Sequence, residues 1–254
     1  MELDIRKIES RAPASFEKSS TKELTKDLAK ELKELVTMMY ANKKRSLLVV
    51  LQGMDSSGKD GVSKAVFSRV SPTMVDAYSF RKPSEEEFAH DFLWRVHKQA
   101  PRKGEVKIFV RSHYEDILIQ RVHNWIDPDK VDARIRAINA FERLLVEDND
   151  TIVMKFYLHL SRERQKEKLL ERIERKDKNY KHNDNDWRER KHWEAYMDAY
   201  QDAINRSEIP WMIVPADQRW YRNYFVAKAV VDRLKELNMS YPELEETPNI
   251  DLNG

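Results

Sequence analysis

The chain has no cysteine, which excludes disulfides and thiolate metal sites. No stretch approaches the ~18 consecutive apolar residues of a membrane-spanning helix. Met1-Glu2-Leu3-Asp4 is not a basic start followed by an apolar run, so no secretory signal is expected and a cytoplasmic location is. Nor is there an excess of one charge sign: 46 Lys and Arg face 44 Asp and Glu, a net of +2. Glycine is scarcer than in most chains of this length. There are five in 254 residues, and three of them fall between Gly53 and Gly61. Glycine is needed where backbone turns with positive φ or approaches a ligand closely, so that segment is the first place to look for function.

What is present suffices for a core, since 41% of the residues are apolar. From Lys22 an apolar face recurs at helical spacing through Leu24, Leu28, Leu32, Leu35, Val36, Met39 and Tyr40. Leu47 to Leu51 is a continuous apolar run, the mark of a strand covered on both faces. Helix is then expected over Asp60–Val70, strand over Met74–Tyr78, helix over Ser84–Lys98 and strand over Glu105–Arg111. Helices should fill Tyr114–Glu147, followed by a strand at Thr151–Leu158 and a charged helix from Ser161. A short strand at Trp211–Val214 and a closing helix at Trp220–Leu237 end the pattern. This alternation predicts an α/β fold with an open parallel sheet of about five strands flanked by helices. No internal repeat or linker divides it. One domain is expected, with a helical extension over about 1–45 and an acidic tail over about 241–254 holding Glu243, Glu245, Glu246 and Asp251.

Gly53-Met54-Asp55-Ser56-Ser57-Gly58-Lys59-Asp60 fits G-x-x-x-x-G-K, the start of a P-loop, between a buried strand and a helix. In such a loop backbone N–H groups and the helix N-terminus converge on anionic oxygens, and the lysine neutralises the phosphoryl group. Asp60 stands where the motif has Ser or Thr. A carboxylate within the cradle repels phosphate unless it has a task. For Asp55 the tasks are holding Mg²⁺ or orienting the attacking group. A strand end normally supplies a second carboxylate for Mg²⁺, but here that end is Val110. Glu115 and Asp116 lie just beyond and could take over, or could simply suit a helix N-terminus. Arg111 could pair with phosphate bidentately, whereas His113 reads as a structural histidine.

The loop through Gly61, then His90-Asp91-Phe92-Leu93-Trp94-Arg95, Arg111-Ser112-His113-Tyr114-Glu115-Asp116, Pro215-Ala216-Asp217 and Trp220-Tyr221-Arg222-Asn223 closely resemble the family-2 polyphosphate kinases. The match runs in order from about Lys22 to Leu237. The resemblance implies a three-layer P-loop kinase fold with a helical lid. It also implies phosphoryl transfer between inorganic polyphosphate and a nucleotide with Mg²⁺ or Mn²⁺. Ser112 to Asp116 looks like the subclass accepting both nucleoside mono- and diphosphates. By resemblance Asp55 and Lys59 are the catalytic pair, and Glu115 and Asp116 handle metal or nucleotide. Family members usually carry Asp or Asn where Val110 stands. The expected partners are polyphosphate and adenine or guanine nucleotides, with neither nucleic acid nor membrane, in a homo-oligomer.

Between Arg95 and Arg111 lie six basic residues (Arg95, Lys98, Arg102, Lys103, Lys107, Arg111) and one acid, Glu105. Such a run predicts a track for a polyanion, which Arg81 and Lys82 could extend. Ser161 to Trp193 holds twelve basic and eight acidic residues. Its centre, with Arg172, Arg175, Lys176, Lys178 and Lys181 before His182-Asn183-Asp184-Asn185-Asp186, reads as a lid over about 172–190 that excludes water. Trp187, Trp193, Tyr196 and Tyr200 read as core packing, and so do Trp220, Tyr221 and Tyr224. Arg219 and Arg222 read either as anion contacts or as surface residues of a helix start.

The sequence thus predicts a phosphotransferase in which Lys59, Arg111 and lid arginines neutralise charge around an in-line transfer. An ATP-dependent nucleoside monophosphate kinase is the nearest alternative, and a non-catalytic anion- or nucleic-acid-binding P-loop protein the more distant one.

Overall fold

Each strand of the protein returns to the sheet through a helical crossover, so every pairing is parallel. The computed structural model describes residues 2–244. The strands are β1 (Ser46–Gln52), β2 (Val75–Ser79), β3 (Val106–Val110), β4 (Thr151–His159) and β5 (Trp211–Pro215), in the spatial order β2-β3-β1-β4-β5. β1 is central and entirely buried, as its unbroken apolar run requires. Its residues alternate between two cores. Leu47, Val49 and Leu51 pack with α1 (Lys18–Asn42), α2 (Lys59–Phe67) and the closing helix, which runs from Arg219 to Lys235. Leu48 and Val50 face Phe109 and the Phe141 and Leu145 side chains of the long helix from Pro128 to Asn149. The result is the expected three-layer α/β fold. No helix among the described residues is long and apolar enough to cross a membrane.

Most predicted boundaries lie within a few residues of the observed ones. The clearest correction concerns Ser84–Lys98, which is not one helix. It forms α3 (Glu85–Ala89) and α4 (Trp94–His97), separated at His90 by extended backbone. Ser84 and Glu87 build a capping box at the start of α3. Asp91 accepts the Leu93 N–H and restarts the chain as α4. Between Tyr114 and Glu147 there are two helices, α5 (Glu115–Val122) and α6 (Pro128–Asn149), the second capped by Asp127 with Pro128 at its first position. On α1 the expected apolar face holds at Leu32, Leu35, Val36 and Met39, but Leu24 and Tyr40 are exposed. α7 (Arg162–Glu174), α8 (Asp184–Glu189), α9 (Trp193–Asn205) and α10 (Arg219–Lys235) complete the chain.

The first residues form a strap. Leu3 exchanges two hydrogen bonds with the Asn205 side chain at the end of α9. Ile5 is fully buried, and the Ile8 carbonyl accepts from His159 at the end of β4. The Ser10 carbonyl accepts from Asp217 N, and Phe16 packs against Tyr221 and Tyr224 of α10. At the other end of the sheet the Ser240 carbonyl accepts from Asn42, the last residue of α1. Of the acidic tail, Glu245, Glu246 and Asp251 lie outside the described residues.

Candidate active site

The P-loop lies where an open sheet of this order leaves a crevice, at the carboxyl end of β1 between β3 and β4. Its backbone is unusual at three successive points. Gly53 has φ +146, Ser56 +67 and Gly58 +93. At Gly53 an added Cβ would sit 2.7 Å from the Leu158 carbonyl, and at Gly58 it would overlap the Arg222 guanidinium. The two glycines are therefore required by both conformation and space. Arg222 is 2% exposed and donates to the Ser57 carbonyl at 2.6 Å. Burial and the nearby Arg219 lower its pKa to about 10. Lys59 is also buried, and its Nζ donates to the Gly53 and Met54 carbonyls at 2.6 and 3.2 Å. Burial, reinforced by Arg111, lowers the Lys59 pKa to about 8.

β3 delivers the second part of the site. After Val110, Arg111 takes a left-handed conformation, φ +61, and donates to Asp55 Oδ1 at 2.9 Å. Burial disfavours charge on Asp55, but Lys59 and Arg111 more than offset it and hold its carboxyl below the usual range. Glu115, at the start of α5, moves the other way: burial raises its pKa, with Arg111 and Lys59 opposing. Lysine, two carboxylates and arginine thus form one electrostatically coupled group. Ser112 is buried and its Oγ accepts from Gln52, the last residue of β1, which ties the Arg111 turn to the strand feeding the P-loop.

One cavity opens on the loop, and a second, of different chemistry, lies along α2 beyond it. One, of about 680 Å³, is lined by Gly53, Met54, Asp55, Arg111 and Glu115, with Phe88 and Trp125 at its sides. Asn183, Asn185, Asp186, Glu189 and Arg190 form another wall. Phe88 and Trp125 are 76% and 66% exposed, although they are large aromatic side chains. The other cavity, about 1220 Å³, lies among α1, α2, α7 and α10 and has eleven basic residues against four acidic ones. Gly61 and Lys64 of α2 face it, so loop and helix together separate the cavities. Its cations crowd one another: burial first, then Arg164, lower the Lys168 pKa.

Comparison with known proteins decides the family. The family model "Polyphosphate kinase 2" matches residues 15–242. The chain belongs to the Polyphosphate kinase 2 family. It is 43% identical over 221 residues to an AMP/ADP-polyphosphate phosphotransferase of Meiothermus ruber, covering 86% of this chain and 82% of that one. It is 35% identical over 240 residues to an ADP-polyphosphate phosphotransferase of Rhodopseudomonas palustris, covering 87% and 81%. In structure it is similar to polyphosphate kinase 2 from Arthrobacter aurescens, with TM-score 0.94, 35% identity, and 97% and 90% of the two chains covered.

Within this Polyphosphate kinase 2 fold the sequence-predicted residues separate into groups. Gly53 through Lys59, Arg111 and Glu115 come together, and Asp60 is exposed on the first turn of α2. Lys82 lines the smaller cavity. The basic run from Arg95 to Arg111 does not form one track. Arg102 and Lys103 lie before β3, at the opposite end of the sheet from the P-loop, paired with Glu105 and Asp150. Lys107 pairs with Asp76 within the sheet, and Lys98 sits over the Trp94 ring. Arg95 is 6% exposed and donates to the Arg81 carbonyl and to Asp116, yet it lines the smaller cavity with Arg81, Lys82 and Arg111, so this end of the run does come together there. Of the cations expected in a lid, Arg175 lines the basic cavity, while Arg172 is held by Asp186 and the Lys181 carbonyl. Lys176 and Lys181 are exposed outside both cavities. Trp193 and Tyr200 are buried, as a core role predicts, yet they also border the smaller cavity.

The basic cavity itself escaped the sequence reading. Lys18, Lys22 and Lys26 recur at helical spacing on α1 and all face it, which is the signal that could have marked it. Arg222 was legible only as a surface or anion-contact residue, and it proves to be the buried prop of the loop.

Among the described residues no three carboxylate or imidazole side chains converge to cage an ion. Mg²⁺ in phosphoryl-transfer sites is held by one or two carboxylates together with substrate phosphates and water. Asp55 fits that need: it borders the cavity, and Arg111 on Oδ1 is its one side-chain hydrogen bond among the described residues. Asp116 does not, because Arg95 holds its Oδ2 and Gln120 its Oδ1.

Proposed function

We propose that the protein transfers the terminal phosphoryl group of inorganic polyphosphate to nucleoside mono- and diphosphates, AMP and ADP among them, reversibly. The observation that carries this reading is the pair of unlike cavities, one on the P-loop and one along the α2 helix that the loop starts. A nucleotide donor needs a base pocket and a few cations. Eleven basic residues along a groove of about 1220 Å³ suit a long chain of repeating phosphates instead. The cavity flanked by Phe88 and Trp125 suits a purine nucleotide, with its phosphates toward Asp55 and Arg111.

In this reading a terminal oxygen of the acceptor attacks the end phosphorus of polyphosphate in line, and the bond to the shortened polyphosphate breaks. That oxygen is ionised near neutrality, so no strong base is needed. Lys59 leaves the Gly53 and Met54 carbonyls for the transferring group, and Arg111 neutralises charge on the acceptor side. Asp55, with Glu115 behind it, would hold Mg²⁺ or Mn²⁺, which supplies further charge neutralisation. The segment around Asp186 and Arg190 would close over the acceptor and exclude water.

The test is a donor-by-acceptor assay with Mg²⁺: AMP, ADP or GDP, each with polyphosphate or ATP. ATP formed from AMP and polyphosphate alone is the expected result. Transfer from ATP only would move the protein to the monophosphate kinases, and no transfer to the anion binders.

A further inference from the structure

Directly behind the Arg111 turn lies a charged cluster that touches neither cavity. Glu142 of α6 is fully buried, as are Lys155 of β4 and His113. Lys155 Nζ donates to Glu142 Oε2 at 2.6 Å and to the Tyr114 hydroxyl at 2.7 Å. The Tyr114 hydroxyl donates to Glu142 Oε1 at 3.1 Å, and His113 Nε2 lies 3.2 Å from the same oxygen. Ser207 reaches the Tyr114 hydroxyl at 3.0 Å and accepts from Trp211 Nε1 at 2.8 Å. Burial opposes the charge on Glu142, but His113 and Lys155 outweigh it and its carboxyl stays ionised.

A buried ion pair is a poor way to gain stability. Apolar residues of the same size often do as well or better, whereas loss of one partner is costly. Its directional hydrogen bonds fix an orientation that apolar packing would leave loose. What is fixed here is the pair His113–Tyr114. The residue two before it is Arg111, held at φ +61, and the residue after it is Glu115. Both flanks belong to the coupled group around Lys59.

We infer that Glu142 and Lys155 are positioning residues for phosphoryl transfer, which hold His113 and Tyr114 so that Arg111 and Glu115 meet the reacting phosphates in register. This rests on the proposed phosphotransferase activity. Neither residue touches a cavity, so their loss should spare binding and slow chemistry.

The experiment pairs the double variant Glu142→Leu/Lys155→Met, which leaves no buried unpaired charge, with Tyr114→Phe, which removes only the shared hydroxyl. Melting temperature and separate kcat and KM values for polyphosphate and ADP are measured beside the parent. The expected result is a folded double variant with kcat lower by about 10- to 100-fold, as for a group displaced by about 1 Å. Both KM values should stay within about twofold, and Tyr114→Phe should show the same split more weakly. A folded double variant with the parent's kcat would overturn the inference, and so would KM values that rise in step with lost stability. If the double variant does not fold, Tyr114→Phe decides alone, and an unchanged kcat there overturns it. Absence of transfer by the parent would instead refute the activity itself.

Discussion

The two cavities beside the P-loop and α2 differ in chemistry, and under the proposed function they would solve recognition in opposite ways. The basic groove among α1, α2, α7 and α10 has eleven cations and no enclosing aromatic pair, the composition of a site that would count charge. The smaller cavity has Phe88 and Trp125 at its sides and charges of both signs around its lining, Arg81, Lys82, Arg95 and Arg111 facing Asp55, Glu115, Asp186 and Glu189. A repeating polyanion presents the same group at every step, and a field of cations suffices for it. A nucleotide has two unlike ends and needs a site with two unlike ends. In the proposed reading the loop serves both, and three of its residues hold positive φ.

Substitutions at the shared loop should therefore erase the contrast. Lys59→Ala and Asp55→Ala are each expected to lower kcat by about 10²- to 10³-fold with the fold intact, for every donor and acceptor. Unchanged melting with near-normal turnover would remove both residues from the site. Gly58→Ala should act through structure. It forces a side chain onto backbone at φ +93 and into Arg222, and should cost about 3 kcal/mol in urea unfolding. A smaller loss would mean that Arg222 can move aside and is not the loop's prop.

Substitutions in either cavity should sharpen the contrast. Lys22→Ala/Lys26→Ala/Lys168→Ala is expected to raise KM for polyphosphate by about tenfold and to flatten its salt dependence, with KM for ADP unchanged. Trp125→Ala should do the reverse, raising KM for the nucleotide by about fivefold and leaving that for polyphosphate alone. Equal effects on both substrates from either variant would collapse the distinction. The smallest expected effect is on titration. Lys59 must be protonated to meet phosphate, and its pKa is lowered to about 8. The value of kcat/KM should thus fall by half near pH 8 as pH rises, and Lys59→Arg, though slower, should lose that decline. Stability runs the other way for this group. Between about 8 and its ordinary 10.5 the unfolded chain holds a proton that the folded loop lacks, so stability gains as pH rises through that window.

The layout of the molecule was largely legible because its signals are local. A continuous apolar run, a G-x-x-x-x-G-K turn and a helix follow one another without a gap. Asp55, Lys59, Arg111 and Glu115 each sit within a few residues of a strand end, where an open sheet collects its ligands. The basic groove was not legible, because four helices far apart in the chain assemble it. The run from Arg95 to Arg111 misled for a related reason. β3 carries the chain from one end of the sheet to the other at about 3.3 Å per residue, so Lys103 and Arg111 are neighbours in sequence and lie at opposite ends in space. Arg222 stood out in the motif Trp220-Tyr221-Arg222-Asn223, but its role did not, since nothing local separates an arginine that props a loop from one that meets an anion or solvent.

The strap over residues 3–17 bears on how the protein can be handled. It runs from the end of α9, whose residues border the smaller cavity, to α10, whose residues border the basic groove. A purification tag, surface tether or fusion partner joined ahead of Leu3 would pull at the seam between the two cavities, the substrate sites of the proposed function. One joined beyond Ser240 would leave from the far end of the sheet, beside Asn42. Immobilised preparations should accordingly retain more turnover when held by the latter side.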